Sequence, residues 1–282
     1  MRGNYHPEMQ RGTFKKINGL NIHVLNAGNG LPVVLVHGYM GMAYDWRYNI
    51  KELGQHFSLY ELDLPGFGYS EKPLTFDYTS NGYAEFIISF LDTYRIKRAV
   101  LVGNSMGGQI VLMACLKYPE RVAGLVLIDS GGYPQSVQFV PFKILKVPVI
   151  GEISMALVSR TVIRTMLRRG IYFKSSFVTD EVIDNYYSVY CTVNARKMPP
   201  VIMRSVMKDE AGIILHLDEI NCPTLIIWGA EDRVISPAKA EMFHRDIKDA
   251  SLLMVPGAGH MPQVEKSRTV NRALIGFMSK VI

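Results

Sequence analysis

A serine, an aspartate and a histidine stand in positions suited to nucleophilic acyl chemistry. Ser105 lies in "VGNSMGG" (102–108), between glycines, directly after the apolar run "AVL" and before "QIVLMACL". A serine hydroxyl needs a base to remove its proton, and the base needs an acid to orient its ring. "WGAEDRVI" supplies Asp232 and "GAGHMPQVE" supplies His260, respectively 127 and 155 positions beyond the serine. Glu231, beside Asp232, and Asp129, which ends "GLVLID", are competing acids. Asp232 is preferred because its loop adjoins the strand that precedes the histidine.

Acyl transfer also needs donors for the developing oxyanion. The N–H of Met106 follows the serine and supplies one. "HGYMG" follows the apolar run "LPVVLV" and offers the N–H of Tyr39 as the second, which leaves His37 a structural hydrogen-bonding residue. Gly38, Asn104 and Met261 are neighbours of these groups and are expected to border the substrate.

Such groups converge only if strands deliver them to one edge of a sheet. "LPVVLVHG" (31–38), "RAVLVG" (98–103), "VAGLVLIDS" (122–130) and "PTLIIWG" (223–229) are short continuous apolar runs, the mark of strands buried on both faces. "GLNIHVLNAG" alternates, and "FSLYELDLPG" and "SLLMVPG" complete the strands. Helices are expected over 83–96, with Phe86, Phe90 and Tyr94 on one face, from Gly108 to Pro119, and in the closing segment. "SPAKAEMFHRDI" reads as a helix with Ser236 as N-cap and Pro237 at its first position. This alternation predicts an α/β fold with a mostly parallel sheet flanked by helices. It breaks over 133–215, a largely helical stretch read as a cap inserted into a core of 1–132 and 216–282.

"HGYMG", "DLPGFGYS", "GNSMGG", "WGAEDRVI" and "GAGH", in this order, resemble the α/β-hydrolase superfamily, and the match covers nearly the whole chain outside the insertion. The resemblance implies a serine hydrolase with Ser105, Asp232 and His260 as triad, a helical cap over the site, and a structural loop over Asp63 to Ser70. Dehalogenase and epoxide-hydrolase branches carry aspartate where Ser105 stands, which disfavours those chemistries. "GNSMGG" is similar to the meta-cleavage-product hydrolases, which break a carbon–carbon bond in vinylogous 1,5-diketones. Those enzymes usually follow the histidine with tryptophan, where this chain has Met261, so a carboxylic ester is the favoured substrate. A ligand receptor on the same fold is a third reading.

The 282 residues are 48% hydrophobic and 20% charged, ordinary for a globular protein. No run is long and apolar enough to span a bilayer, and "MRGNYHPEMQRGTFKK" lacks the apolar centre of a secretory signal. Cys115, Cys191 and Cys222 match no metal pattern and read as free thiols, so a cytoplasmic protein with no metal or cofactor is expected. Between Lys143 and Lys174 stand Lys143, Lys146, Arg160, Arg164, Arg168, Arg169 and Lys174 against only Glu152, an excess equal to the whole net charge of +6. Basic patches interleaved with aromatics are absent, so nucleic acid is not an expected partner. Within "GEISMALVSRTVIRTMLRRG", Arg160, Arg164 and Arg168 recur every four residues, opposite Val158, Val162 and Met166. Such a helix either packs its apolar face on the core or meets an anionic membrane. A third arrangement turns one arginine inward to hold a substrate carboxylate, as the carbon–carbon hydrolase reading would require.

Overall fold

In the computed structural model, which describes residues 12–134, 138–206 and 216–281, the apolar runs become one eight-stranded sheet. Its strands are β1 (Thr13–Ile17), β2 (Leu20–Ala27), β3 (Pro32–Val36), β4 (Ser58–Leu62), β5 (Ala99–Asn104), β6 (Val122–Ile128), β7 (Thr224–Gly229) and β8 (Ala250–Val255). The order is β1-β2-β4-β3-β5-β6-β7-β8. β2 runs antiparallel to both neighbours, and every pair from β4 to β8 is parallel. β5, β6 and β7 are buried at every residue, which is why they read as unbroken apolar runs. β1 escapes sequence reading because only Ile17 of its five residues is buried, and pairing with β2 alone defines it.

From β3 the chain goes to β4 on one side and later to β5 on the other. Loops leaving the carboxyl ends of β3 and β5 therefore diverge and open a crevice. Helix α1 (Ile50–Leu53) precedes β4. Helix α2 (Ser80–Thr93) begins earlier than the 83–96 pattern suggests, because Thr79 caps it by accepting from the Gly82 N–H at 3.1 Å. It ends at Thr93, so Tyr94 lies just beyond, 4.7 Å from the Phe90 ring. Helix α3 (Met106–Lys117) follows β5 and packs on β5, β6 and α2. Its Cys115 is a buried free thiol whose sulfur lies 3.5 Å from that of Cys222.

Between β6 and β7 the described chain is helical: α4 (Val140–Leu145), α5 (Ile150–Ala156), α6 (Arg160–Met166), α7 (Asp180–Tyr190) and α8 (Val193–Val206). The C-terminal limit expected for the cap, at residue 215, lies outside the described residues, as do residues 1–11 of the segment read as lacking a secretory signal. The single helix expected over 151–170 is broken. Ser159 accepts from the Val162 N–H at 3.3 Å and starts α6 afresh, so Val158 does not share a face with Val162 and Met166. Ile163 and Leu167 occupy the inner side instead. Arg160 pairs with Asp184 and Arg164 with Asp180 (2.6 Å), both on α7. Exposed pairs of this kind contribute about 0–1 kcal/mol each, but they engage two arginines of the stripe.

After β7 come α9 (Ala238–Asp246), the single turn α10 (Pro262–Glu265) and α11 (Ser267–Met278). α9 starts one residue later than expected. Pro237 is its N-cap, and Ser236 Oγ accepts from the Ala238 N–H at 3.4 Å.

The loop from Asp63 to Ser70 is pinned by the buried Asp63 carboxylate. It accepts from the N–H groups of Ala43 (2.7 Å) and Tyr69 (2.8 Å) and meets the His23 ring at 3.0 Å. Burial alone would raise the carboxyl pKa; the His23 ring and the N–H groups outweigh it and hold the pKa below the usual aspartate value. A depressed folded-state pKa contributes stability above the unfolded value of about 3.9, and that contribution is lost as pH falls through the folded value. The urea midpoint is therefore expected to fall as pH drops below about 4, and Asp63→Asn to cost about 2 kcal/mol at neutral pH while weakening that acid limb.

Candidate active site

Ser105 takes φ 56° and ψ −119°, a conformation costly for any residue with a Cβ. Three backbone bonds hold it there. Its N–H donates to Ile128 O (2.9 Å), and its carbonyl accepts from the N–H groups of Gly131 (2.9 Å) and Gln109 (3.2 Å). The glycines permit the close approach this requires. A Cβ on Gly103 would strike the Gly107 carbonyl, one on Gly107 the Val36 and His37 carbonyls, and one on Gly108 the Ser130 side chain. The strand–turn–helix therefore presents Ser105 at the head of α3, where the helix N-terminus favours negative charge.

The loops after β7 and β8 bring Asp232 and His260 together. His260 Nδ1 lies 2.8 Å from Asp232 Oδ2, and Asp232 Oδ1 accepts from the N–H groups of Val234 (2.7 Å) and Ile235 (3.2 Å). His260 Nε2 is buried with no hydrogen-bond partner, on a cleft that Ser105 also lines. Hydrogen bonds of this kind often tighten only with substrate present. Glu231 turns away and accepts from the Gly257 (2.8 Å) and Ala258 (3.1 Å) N–H groups, so it braces the histidine's loop. The cap braces that loop too. Ile171 O accepts from the His260 N–H at 2.9 Å, while Glu265 accepts from Gly259 (2.7 Å) and Lys174 (2.8 Å).

Asp129 sits behind this pair, fully buried at φ 46°, with Oδ1 accepting from the Gly229 N–H at 3.0 Å. Donor atoms of Asp129, Asp232 and His260 all fall within 4.8 Å of one another. Burial first, and then the Asp232 charge, push the Asp129 carboxyl far above the usual range, so it is held protonated.

His37 is the structural residue expected. Its Nε2 accepts from the Leu64 N–H (3.0 Å), which places the proton on Nδ1 for donation to Gly38 O (2.8 Å). Burial lowers its pKa and keeps the ring neutral. The turn it supports carries Tyr39, whose hydroxyl donates to Pro199 O of the cap at 2.6 Å. Met106 is the first residue of α3, where a backbone N–H has no helical acceptor. Asn104 lines the cleft, but both its amide protons are engaged, by Ile128 O (3.1 Å) and His260 O (3.3 Å). Its side chain thus ties the elbow to the histidine's backbone while the residue lines the cleft.

The cleft has a volume of about 640 Å³, counting its open side, and Gly38, Tyr39, Asn104, Ser105, His260 and Met261 line its floor and edge. Cap residues Phe142, Ile163, Met166, Leu167 and Ile171 form an apolar roof. No lysine or arginine lines it among the described residues. Sequence reading missed Asp45, Tyr186 and Tyr190, which also line it. Tyr186 donates to Asp45 Oδ1 at 2.5 Å, and burial raises the Asp45 pKa. The only local signal was tyrosine at helical spacing in "NYYSVY", which ordinary core packing produces equally well.

A family model described as alpha/beta hydrolase fold matches residues 32–148. An uncharacterized hydrolase from Bacillus subtilis, YugF, is 30% identical over 266 residues, covering 93% of this chain and 96% of that one. Two solved structures share the fold. A meta-cleavage product hydrolase from Pseudomonas fluorescens IP01 has a TM-score of 0.84 at 24% identity, over 97% of this chain and 99% of that one. A putative lipase from Acinetobacter baumannii AYE has a TM-score of 0.81 at 22% identity, over 96% and 91%. A serine held in a strained strand-to-helix turn, a histidine bonded to an aspartate on the neighbouring loops, and this sheet order agree with that likeness, and the chain is a hydrolase of the α/β-hydrolase family.

Proposed function

We propose that the protein hydrolyses carboxylic esters through an acyl-enzyme. His260 Nε2 removes the Ser105 proton as Oγ attacks the ester carbonyl, and the N–H groups of Tyr39 and Met106 hold the oxyanion. The alcohol leaves with the proton carried by His260, and Asp232 stabilises the imidazolium through Nδ1. Water, deprotonated by the same histidine, then releases the acid.

The observation that carries the ester over the carbon–carbon bond is the lining of the cleft. Vinylogous diketone substrates are acids, and a carboxylate moved from water into an apolar cleft without a cationic partner costs several kcal/mol. The described lining offers apolar side chains, tyrosines and the acid Asp45, with no lysine or arginine to receive it. An apolar acyl chain meets no such cost.

The test is a panel of p-nitrophenyl esters of graded length beside a vinylogous 1,5-diketone acid, with Ser105→Ala as the blank. The best ester is expected to exceed the diketone acid in kcat/KM by about 100-fold, the equivalent of about 3 kcal/mol. A reversed ranking would establish the carbon–carbon hydrolase instead, and tight binding with near-zero turnover would mark a ligand receptor.

A further inference from the structure

Large apolar side chains left in water are clustered on this protein. Thirteen are exposed among the described residues, and eight of them lie between Val140 and Val162. On α4, Val140 and Ile144 share a face, while Phe142 and Leu145 point inward. On α5, Ile150 and Ile153 are 53% and 56% exposed at i and i+3, Leu157 just past its end is 70% exposed, and Gly151 and Met155 are buried. The two helices pack on each other, with the Gly151 backbone against the Leu145 carbonyl. Val149, at the bend between them, is exposed and holds φ 68°, a conformation a β-branched residue rarely keeps without a reason. Isolated exposed apolar residues are ordinary, whereas a contiguous group marks a surface that meets something.

The charge around this face has one sign. Lys143 is exposed beside it, Lys146 half-buried, and its single acid, Glu152, is held by Arg204 at 2.6 Å. The face also lies next to the cleft. A second apolar cavity, about 830 Å³ counting its open side, lies between α4, α5 and α6 and shares Met40, Ile163 and Met166 with the cleft over Ser105. Ile144 and Val162, which line this chamber, are themselves among the exposed apolar residues, so it opens at the surface.

We propose that the α4–α5 face docks on an anionic phospholipid surface, and that the chamber behind it takes the acyl chain of a lipid ester reaching Ser105. The docking half stands by itself; the acyl half rests on the ester reading above. The arginine stripe of α6 is not the docking element, because Arg160 and Arg164 pair with α7. Apolar side chains inserted at the headgroup boundary, with lysines beside them, are the recognised means by which a peripheral protein holds such a surface.

Binding is measured by co-sedimentation of the Ser105→Ala protein, which cannot turn substrate over. The vesicles are phosphatidylcholine alone and phosphatidylcholine with phosphatidylglycerol. Binding to the mixed vesicles is expected to be at least about tenfold tighter, and to weaken with salt. Ile150→Asp with Ile153→Asp is expected to lower it by about tenfold or more, while the same pair in the active protein leaves kcat/KM on water-soluble p-nitrophenyl butyrate unchanged. Lys143→Glu with Lys146→Glu should remove most of the phosphatidylglycerol preference. Absent vesicle binding, or equal binding by the isoleucine variant, overturns the docking surface. So does a wild-type dimer that the isoleucine variant splits, since a second copy would then cover the face. Thirdly, Thr161→Trp, on the exposed rim of the chamber, is expected to raise KM for p-nitrophenyl palmitate about tenfold relative to the butyrate; an unchanged ratio overturns the acyl assignment. Vesicle binding without hydrolysis of any ester would sink the ester reading and support the docking surface.

Discussion

Asp232→Asn is expected to lower kcat by about 10⁴-fold with folding intact, whereas Asp129→Asn leaves kcat within about threefold of the starting protein. The two aspartates lie side by side but have different partners. Asp232 accepts from two N–H groups and lies 2.8 Å from His260 Nδ1, so an amide there would take away the carboxylate that the proposed mechanism sets against the imidazolium and offer the ring a donor instead. Asp129 is already neutral, held so by burial and by the charge of Asp232. Asparagine copies its shape and can still accept from the Gly229 N–H. The stability consequence follows in sign. A carboxyl whose folded pKa is raised binds its proton more tightly when folded, so its ionisation in the unfolded chain costs the protein stability as pH rises above about 4. Asp129→Asn removes that cost and is expected to be at least as stable as the starting protein at pH 7. Steady-state kinetics and urea unfolding of the two variants decide the matter, and the opposite kinetic pattern would make Asp129 the acid of the triad.

Gly107→Ala is expected to cost about 3 kcal/mol in stability and about 100-fold in kcat/KM. The added Cβ would overlap the Val36 and His37 carbonyls at the end of β3. Those are backbone atoms of a buried central strand, and they cannot rotate aside as a flexible side chain can. α3 must then lift from β3, carrying Ser105 and the Met106 N–H out of register with the Tyr39 turn. A shift near 1 Å is enough for the kinetic loss. Gly276→Ala is the matched control, because nothing lies within 4 Å of the position its Cβ would take in α11. That change is expected to stabilise by about 0.5–1 kcal/mol, since alanine is the better helix former. Urea midpoints compare the two, and an unaltered Gly107→Ala enzyme would show that the elbow tolerates displacement.

Local patterns carried a large part of the architecture. The strands of the sheet's centre were legible because both their faces are covered, so each must be apolar throughout. β1 was not, because four of its five residues face water and only long-range pairing makes it a strand. The broken helix at Ser159 had a readable signal, a serine ahead of an apolar-periodic run, but a four-residue repeat of arginines obscured it. Asn104 lines the cleft beside Ser105, but that both its amide protons go to carbonyls, one of them 156 residues away, is not legible in the sequence. Asp45, Tyr186 and Tyr190 carried no motif at all, since their presence in the cleft depends on where the cap comes to rest.

By itself, the sequence determined the parallel sheet, the strand–turn–helix around Ser105, and the loops that hold Asp232 and His260. Each of these follows from steric and burial rules acting over a few neighbouring residues. The tertiary structure alone decided which acid meets the His260 ring and which is kept neutral behind it. It also decided that no described lysine or arginine lines the cleft, and that the cap leaves an apolar face in water. Those outcomes are distances between segments far apart in the chain. Packing sets them, and a change of one or two ångströms in the packing of cap on sheet would alter all of them without altering a single motif.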